Sequence, residues 1–279
     1  MKTYQDFLEV AEKSDRDRME FVLSAINNHK DSDLYKQAAI AKEYDAHRNV
    51  TIANFQKLLY TLNGKVIPDN YSPNYKLRSN FFANFITQET QYLLGNGVTL
   101  KKEENKAKLG AGFDTRLQDA AHDALVGGVS YGFWNLDHLE VFDATEFVPL
   151  LDEENGALRS GIRFWQVCTS KPLRATLFEP DGFTQYIRRS GEEMMILEPK
   201  RGYVAVEATS EIDGTELLAY QNYPGFPIIP MYGNRAKQSE LVGQREAIDC
   251  YDLIKSGFAN TVDDASVIYW TISNAGGMD

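Results

Sequence analysis

The sequence is poor in cysteine and in positive charge, and each shortage excludes a class of protein. Its two cysteines, Cys168 and Cys250, are too few for a disulfide framework and favour a reducing compartment. We interpret both as small core residues, one on a strand and one on a helix. Lys and Arg total 29 against 40 Asp and Glu, a formal net charge of −11. This balance disfavours a protein whose affinity depends on neutralising phosphates.

Long apolar runs are also missing. No run approaches the roughly 20 residues of a membrane-spanning helix, so we expect no membrane partner. The first residues, MKTYQDFLEV, lack the apolar centre of a signal peptide, which predicts synthesis in the cytoplasm. With 43% hydrophobic residues the chain can nevertheless bury a sizeable core.

Helical patterns fill roughly the first 125 residues. Ser14 and Asp17 have the spacing of a capping box, which predicts that a helix begins there. A further helix is predicted from Ile52 through Leu62, ending at the turn-forming pair Asn63 and Gly64.

The pattern changes from residue 129 to about residue 220. Short runs rich in aromatic and β-branched residues alternate there with turn clusters such as Asp213-Gly214, which predicts an antiparallel meander. Because helices come first and strands second, the fold class is α+β. A long C-terminal helix completes the prediction.

Residues 221–264 form the most informative stretch. Pro227 and Pro230 bracket two isoleucines and predict a stiff extended segment. Ser239 is a suitable N-cap for the following helix. The apolar residues of this helix recur at helical spacing and predict a face that packs on a core or a partner; they are Leu241, Ile248, Tyr251, Ile254, Phe258, Val262 and Ala265. The polar residues between them, among them Asp249, Asp252 and Asn260, are expected to face solvent or a polar space. We therefore predict a domain over residues 1–238 and a separate helix over 239–279.

Signals for catalysis are weak. Gly128-Val129-Ser130-Tyr131-Gly132 matches the G-x-S-x-G pattern of a serine hydrolase, but that pattern needs a strand before the serine and a helix after it. Here the predicted order is reversed. The four histidines show no metal-ligand spacing, and the acidic cluster at residues 152–154 is typical of a hairpin tip. We predict no enzyme, no cofactor and no metal.

Several stretches, in the same order, resemble the portal proteins of tailed bacteriophages, specifically those of long-tailed phages of Gram-positive hosts. They include YKQAAIAKEYDAHRNVTI (35–52), NYKLRSNFFANFITQETQYLLGNGV (74–98), residues 120–134 and EFVPLLDEENGALRSGIRF (146–164). The C-terminal stretch carries the most specific motif residues: Pro227, Pro230, Asn234, Ile248, Asp249, Tyr251, Asp252, Ser256 and Asn260, then Gly276, Gly277 and Asp279.

The resemblance implies a structural protein that forms a ring, usually of twelve subunits, at one capsid vertex. Double-stranded DNA would pass through this ring during packaging and ejection. The implied partners are the terminase packaging motor, a head–tail adaptor, and capsid and scaffold proteins. The implied location is the virion, after assembly in the host cytoplasm. Residues 1–238 would form the wing and residues 239–279 the first stem helix, and we expect relatives to continue beyond Asp279, as if this chain were truncated.

Two alternatives stay open, a monomeric α+β interaction domain and, less favoured, a serine hydrolase using GVSYG. For the portal we hypothesise that Asp249, Asp252, Asp263 and Asp264 give the stem a negative field, which would let a polyanion slide.

Overall fold

The computed structural model describes residues 2–209 and 216–268. The predicted turn at Asp213-Gly214 and the motif residues Gly276, Gly277 and Asp279 lie outside the described residues. The helices are α1 (Tyr4–Ala11), α2 (Asp15–Asp31), α3 (Asp33–Asp45), α4 (Val50–Asn54), α5 (Phe81–Leu94), α6 (Glu103–Ala107), α7 (Phe113–Gly127) and α8 (Arg245–Ile268). The strands are β1 (Leu58–Tyr60), β2 (Val66–Pro68), β3 (Val129–Asn135), β4 (His138–Asp143), β5 (Phe147–Leu151), β6 (Leu158–Trp165), β7 (Leu173–Glu179), β8 (Gly182–Arg188), β9 (Met194–Arg201), β10 (Val204–Thr209), β11 (Glu216–Gln221) and β12 (Ile228–Tyr232).

The α+β class and the antiparallel meander are confirmed. Strands β5 to β9 pair in chain order as one five-stranded antiparallel sheet, while β12, β3 and β4 form a second sheet and β10 and β11 a third. Ser14 and Asp17 make the predicted capping box at the start of α2, since each side chain accepts from the other's backbone N–H.

The chain divides into two compact units. Unit 1 comprises Met1–Ala39 and Gln88–Glu240, and unit 2 comprises Ile40–Thr87 and Leu241–Asp279. Residues 40–87 thus group with the C-terminal segment, a pairing that no sequence pattern indicated. The predicted division into a wing over 1–238 and a stem over 239–279 is a functional one and stays a prediction.

Unit 1 has two hydrophobic clusters. In the first, α1 and α2 cover the five-stranded sheet, with Phe21, Val22 and Ile26 packing among Leu150 and Ile162. In the second, the aromatic rings of Tyr131, Phe133, Phe142, Phe147 and Phe178 pack between the sheets, with Tyr131 and Phe147 centroids 4.3 Å apart. Most of the aromatic residues that the sequence places in the strands therefore build the core.

Unit 2 corrects one helix prediction. The segment from Ile52 to Leu62 is not one helix: α4 ends at Asn54, and the chain then forms the β1–β2 hairpin. Gly64 adopts a left-handed φ of 74°, and the Thr61 N–H donates to the Lys65 carbonyl over 2.9 Å. The pair Asn63-Gly64 is thus part of the hairpin turn and does not end a helix.

Candidate functional site

The proline-bracketed segment before the C-terminal helix is an edge strand. Strand β12 pairs with β3, with Pro230 opposite Tyr131, and no described strand pairs with its other edge. A proline is tolerated there because an edge strand needs only half of its backbone groups for pairing. The predicted extended segment is therefore confirmed, and it belongs to unit 1.

Asn234 organises the loop that follows β12. Its side-chain amide donates to the Gln238 carbonyl over 2.7 Å and to the Glu240 carboxylate over 2.8 Å, and its Oδ1 accepts from the Gln238 N–H over 3.3 Å. A single side chain with both donors and acceptors thus closes the loop, which explains an asparagine at this motif position.

The C-terminal helix begins later than predicted. Ser239 is buried but does not cap it, because α8 starts at Arg245. Residues 240–244 form turns, and Gly243 has a left-handed φ of 89° that interrupts helical geometry. The helix nevertheless runs for 24 residues, longer than the roughly 11 to 12 of an average helix.

Helix α8 buries its polar motif residues. Asp252, Ser256 and Asn260 are 0%, 5% and 4% exposed, so they lie in a polar space inside unit 2 and do not face solvent. The first two residues of the predicted apolar row are buried, whereas Ile254 and Phe258 are 67% and 72% exposed. Packing on this chain's core therefore holds only for the start of the row, and packing of the rest on a partner stays a prediction.

Asp249 is held by three polar side chains. Tyr44 Oη donates to Asp249 Oδ1 over 2.6 Å and Thr51 Oγ1 donates to Oδ2 over 2.8 Å, while Arg245 Nε lies 3.6 Å from Oδ2. Burial and the hydrogen bond to Asp249 raise the pKa of the Tyr44 hydroxyl, so it stays protonated and donating. This carboxylate ties α8 to two segments roughly 200 residues earlier in the chain.

Asp252 is the most deeply buried acid of α8. Its Oδ2 accepts from Asn49 Nδ2 over 2.8 Å, and its buried Oδ1 has no hydrogen-bond partner among the described residues. Asn49 is also the N-cap of α4, where its Oδ1 accepts from the N–H groups of Thr51 and Ile52 over 2.9 and 3.1 Å. Asn49 thus couples the start of α4 to α8.

Ser256 and Asn260 bind the backbone of the loop before α5. Ser256 Oγ accepts from the Leu77 N–H over 3.0 Å, and Asn260 Oδ1 accepts from the Tyr75 N–H over 2.7 Å. Together with Asp249 and Asp252, these residues lie three or four positions apart on one face of α8. They form a polar row that fixes the helix to the rest of unit 2.

The outer face of unit 2 carries exposed apolar side chains. We call this surface the helix patch: Phe81, Phe85, Tyr251, Ile254, Phe258 and Val262, which are between 37% and 72% exposed. The patch is continuous from α5 to α8, since the Phe81 ring lies 5.0 Å from that of Tyr251 and 6.1 Å from that of Phe85. Contiguous apolar surface of this kind marks interaction sites.

The hydrolase motif is not arranged for nucleophilic attack. Ser130 is fully buried on β3, after helix α7, and its Oγ donates to the Ala120 carbonyl over 2.7 Å. Gly128 ends α7 in the left-handed conformation, with φ 87°. A Cβ there would lie 2.7 Å from the Gln238 backbone, so a glycine is needed for the end of α7 to pack this closely against the loop that follows β12.

The other candidate residues do not converge. His29 is buried in unit 1, where its Nε2 lies 2.8 Å from the Ala144 carbonyl oxygen and burial lowers its pKa. Asp152 closes a hairpin tip by accepting from the Glu154 N–H over 2.9 Å. Among the described residues, no group of three His, Cys, Asp or Glu side chains could hold a metal, and no helix is long and apolar enough to cross a membrane.

The cysteine prediction needs a correction. Cys168 and Cys250 are both exposed free thiols and not core residues. Cys168 lies in the turn after β6, whereas Cys250 lies on α8 as expected.

Within unit 2, a helix fixed by polar contacts presents exposed apolar side chains, which is typical of a surface that binds a partner. The comparison with known families specifies the class: residues 23–279 match the family described as phage portal protein, SPP1 Gp6-like. The chain belongs to this family. It is also 38% identical over 63 residues to the portal protein of Clostridium phage phiCD119, a match that covers 23% of this chain and 14% of that relative.

Proposed function

We propose that this chain is a structural subunit of a portal ring at a capsid vertex. The ring would serve as the channel for DNA packaging and ejection and as the docking site for the terminase motor and the head–tail adaptor. Family membership supports the portal role. The observation on this chain that supports self-assembly is the helix patch, because large apolar side chains that stay exposed on a well-anchored helix are typical of subunit interfaces.

The polar row supports the same proposal. Four side chains fix α8 by hydrogen bonds or ion pairs, so the apolar side chains on its other face are held in place before any partner binds. A preorganised surface loses less conformational entropy on association. In this proposal α8 is the first stem helix, and its ring neighbours cover the helix patch.

Of the four aspartates in the hypothesis of a negative stem field, two are engaged in contacts inside unit 2. Asp252 is buried and Asp249 is engaged by Tyr44 and Thr51, so both serve internal contacts. Asp264 is exposed and lies 4.0 Å from Lys57 Nζ, measured to its Oδ2. Asp263 accepts a longer hydrogen bond, over 3.3 Å, from Tyr75 Oη, an exposed contact. We propose that Asp264 and Asp263, at the C-terminal end of α8, contribute to the field, and that the more enclosed Asp249 and Asp252 do not.

Electron microscopy and light scattering on the purified chain test the proposal. We expect rings, with a mass of many subunits, and we expect Phe258→Ser to lower this mass because it replaces the most exposed aromatic side chain of the helix patch. Val167→Ser is the matched control, since Val167 is 85% exposed on unit 1, outside the patch. A particle of one-subunit mass at every concentration would instead favour the monomeric interaction domain.

A further inference from the structure

A second apolar surface of unit 2 lies on the β1–β2 hairpin. Leu58 and Tyr60 alternate along β1, Tyr60 is paired with Val66 across the hairpin, and Leu62 follows in the turn at the tip. Alternate residues and cross-strand partners lie on the same face of a hairpin. These four side chains are 51%, 77%, 107% and 46% exposed, and we call them the hairpin patch.

The hairpin is short and has little to stabilise it by itself. Its strands pair over three residues each, and the two-stranded sheet has no third strand among the described residues. An isolated two-stranded hairpin is only marginally stable in water unless its apolar face packs on something. We therefore expect the apolar face of this hairpin to pack against another surface.

We propose that the hairpin patch of one copy of this chain docks onto the helix patch of the next copy. The inference rests on the proposed function and specifies its interface. In a cyclic assembly of more than two subunits each contact is heterologous, so every copy must present two different and complementary surfaces. Unit 2 presents two such apolar surfaces.

The charges of the two surfaces are complementary. Residues 55–68, which include the hairpin, carry Lys57 and Lys65 and no acidic residue, in a chain whose net charge is −11. Two of the five acidic residues of α8 serve contacts inside unit 2, whereas Glu246 and Asp264 are exposed, and Asp264 lies 4.0 Å from Lys57 of the same copy. The charge left for another copy is therefore mainly that of Lys65 on the hairpin and Glu246 on the helix, which attract each other, and the hairpin adds no acidic repulsion.

The dimensions are also compatible. From Tyr251 to Val262 the helix patch extends about 16 Å at about 1.5 Å per residue. From Leu58 to Tyr60 strand β1 extends about 7 Å at about 3.3 Å per residue, with Leu62 beyond it in the turn, so the hairpin fits within the length of the helix patch. With six side chains of which four are aromatic, the helix patch exposes on the order of 500 Å². This area is at the upper end of what monomers leave open and approaches the roughly 800 Å² that each partner buries in a stable complex.

Disulfide trapping tests the contact directly. The background is Cys168→Ser with Cys250→Ser, to which one protein adds Leu62→Cys and a second protein, of different tag mass, adds Val262→Cys. Association raises the local thiol concentration, so mixed dimers should form on oxidation at least about tenfold faster than in a control pair. In the control pair the second protein retains the exposed Cys168 as its sole thiol. Mixed dimers that form no faster than the control, or no faster than the two like-with-like dimers, would overturn the proposal.

A mixing experiment tests the heterologous character. Tyr60→Ser and Phe258→Ser should each lower the mass of the assembly when studied alone. Tyr60→Ser keeps an intact helix patch and Phe258→Ser keeps an intact hairpin patch, so a mixture of the two can form one intact contact. The mixture should therefore contain dimers and nothing larger, because the other two patches of each dimer are damaged. Unchanged assembly of Tyr60→Ser would overturn this inference and leave the proposed function standing, whereas absence of any assembly by the unsubstituted chain would overturn both.

Discussion

Replacement of Asn49 tests how strongly the polar row holds α8. In Asn49→Ala, helix α4 loses its N-cap, at a cost of about 1 kcal/mol. The buried carboxylate of Asp252 also loses the 2.8 Å hydrogen bond to its Oδ2, which adds about 2 kcal/mol because that charge is then unsatisfied. The expected decrease in the free energy of unfolding is therefore about 3 kcal/mol.

Asn49→Ser separates the two contributions. Serine keeps the N-cap but is too short to reach Asp252, so only the contribution of about 2 kcal/mol should be lost. Asn49→Asp keeps the cap but replaces the amide donor by a second carboxylate in contact with Asp252, so the two acceptors repel and the loss of stability should exceed that of Asn49→Ala.

Urea denaturation at pH 8, monitored by circular dichroism, measures all three variants. The expected order of decreasing stability is wild type, Asn49→Ser, Asn49→Ala and Asn49→Asp. If Asn49→Ala and Asn49→Ser lost the same amount, the N-cap would contribute nothing. If neither lost more than a surface substitution, about 0.5 kcal/mol, the account of the polar row would be refuted.

Other substitutions test separate features. Gly128→Ala should lower the unfolding free energy by about 1 to 3 kcal/mol in urea, because the left-handed backbone and the close approach both oppose a Cβ. Gly257→Ala, in the helix with open space around it, should raise the unfolding free energy by about 0.5 to 1 kcal/mol. Ser130→Ala should lower the unfolding free energy by about 1 kcal/mol, because one buried hydrogen bond is lost. It should leave any esterase rate of the preparation unchanged, whereas the hydrolase alternative requires that rate to fall. Because burial lowers the folded-state pKa of His29, the neutral form favours folding at high pH, and stability should fall as the pH drops below about 6.5; thermal unfolding of His29→Gln should lose part of this pH dependence.

The strands could be predicted from the sequence because their signals are local. Short runs with aromatic and β-branched residues, separated by Gly and Asp turns, are independent of what they pack on. The hairpin at β1 and β2 could not be separated from a helix in this way. Leu58, Leu59 and Leu62 have helical spacing, and a left-handed Gly64 fits both a helix end and a hairpin turn, so only the pairing of β1 with β2 shows which structure forms.

The orientation of α8 could not be predicted, for a physical reason. An apolar row on a helix has the same spacing whether it packs on its own chain or on another copy. The orientation of α8 is fixed by the hydrogen-bond partners of its polar row, such as Tyr44 for Asp249 and Asn49 for Asp252. These partners are about 200 residues away in sequence. The available signal is a row of Asp, Ser and Asn at helical spacing, which by itself fits either a face toward solvent or a polar space inside the protein.

Thiol labelling at position 262 tests the central claim most directly, since it reports both the outward orientation of the helix patch and its burial by a second copy. The protein is Cys168→Ser with Cys250→Ser and Val262→Cys, a near-isosteric change that keeps the aromatic side chains of the patch, and the measurement is the labelling rate as a function of protein concentration. We expect rapid labelling in dilute solution and progressive protection as the concentration rises, while the same protein with Val167→Cys in place of Val262→Cys stays reactive throughout. Slow labelling in dilute solution would contradict the outward orientation, and a rate independent of concentration would contradict the interface.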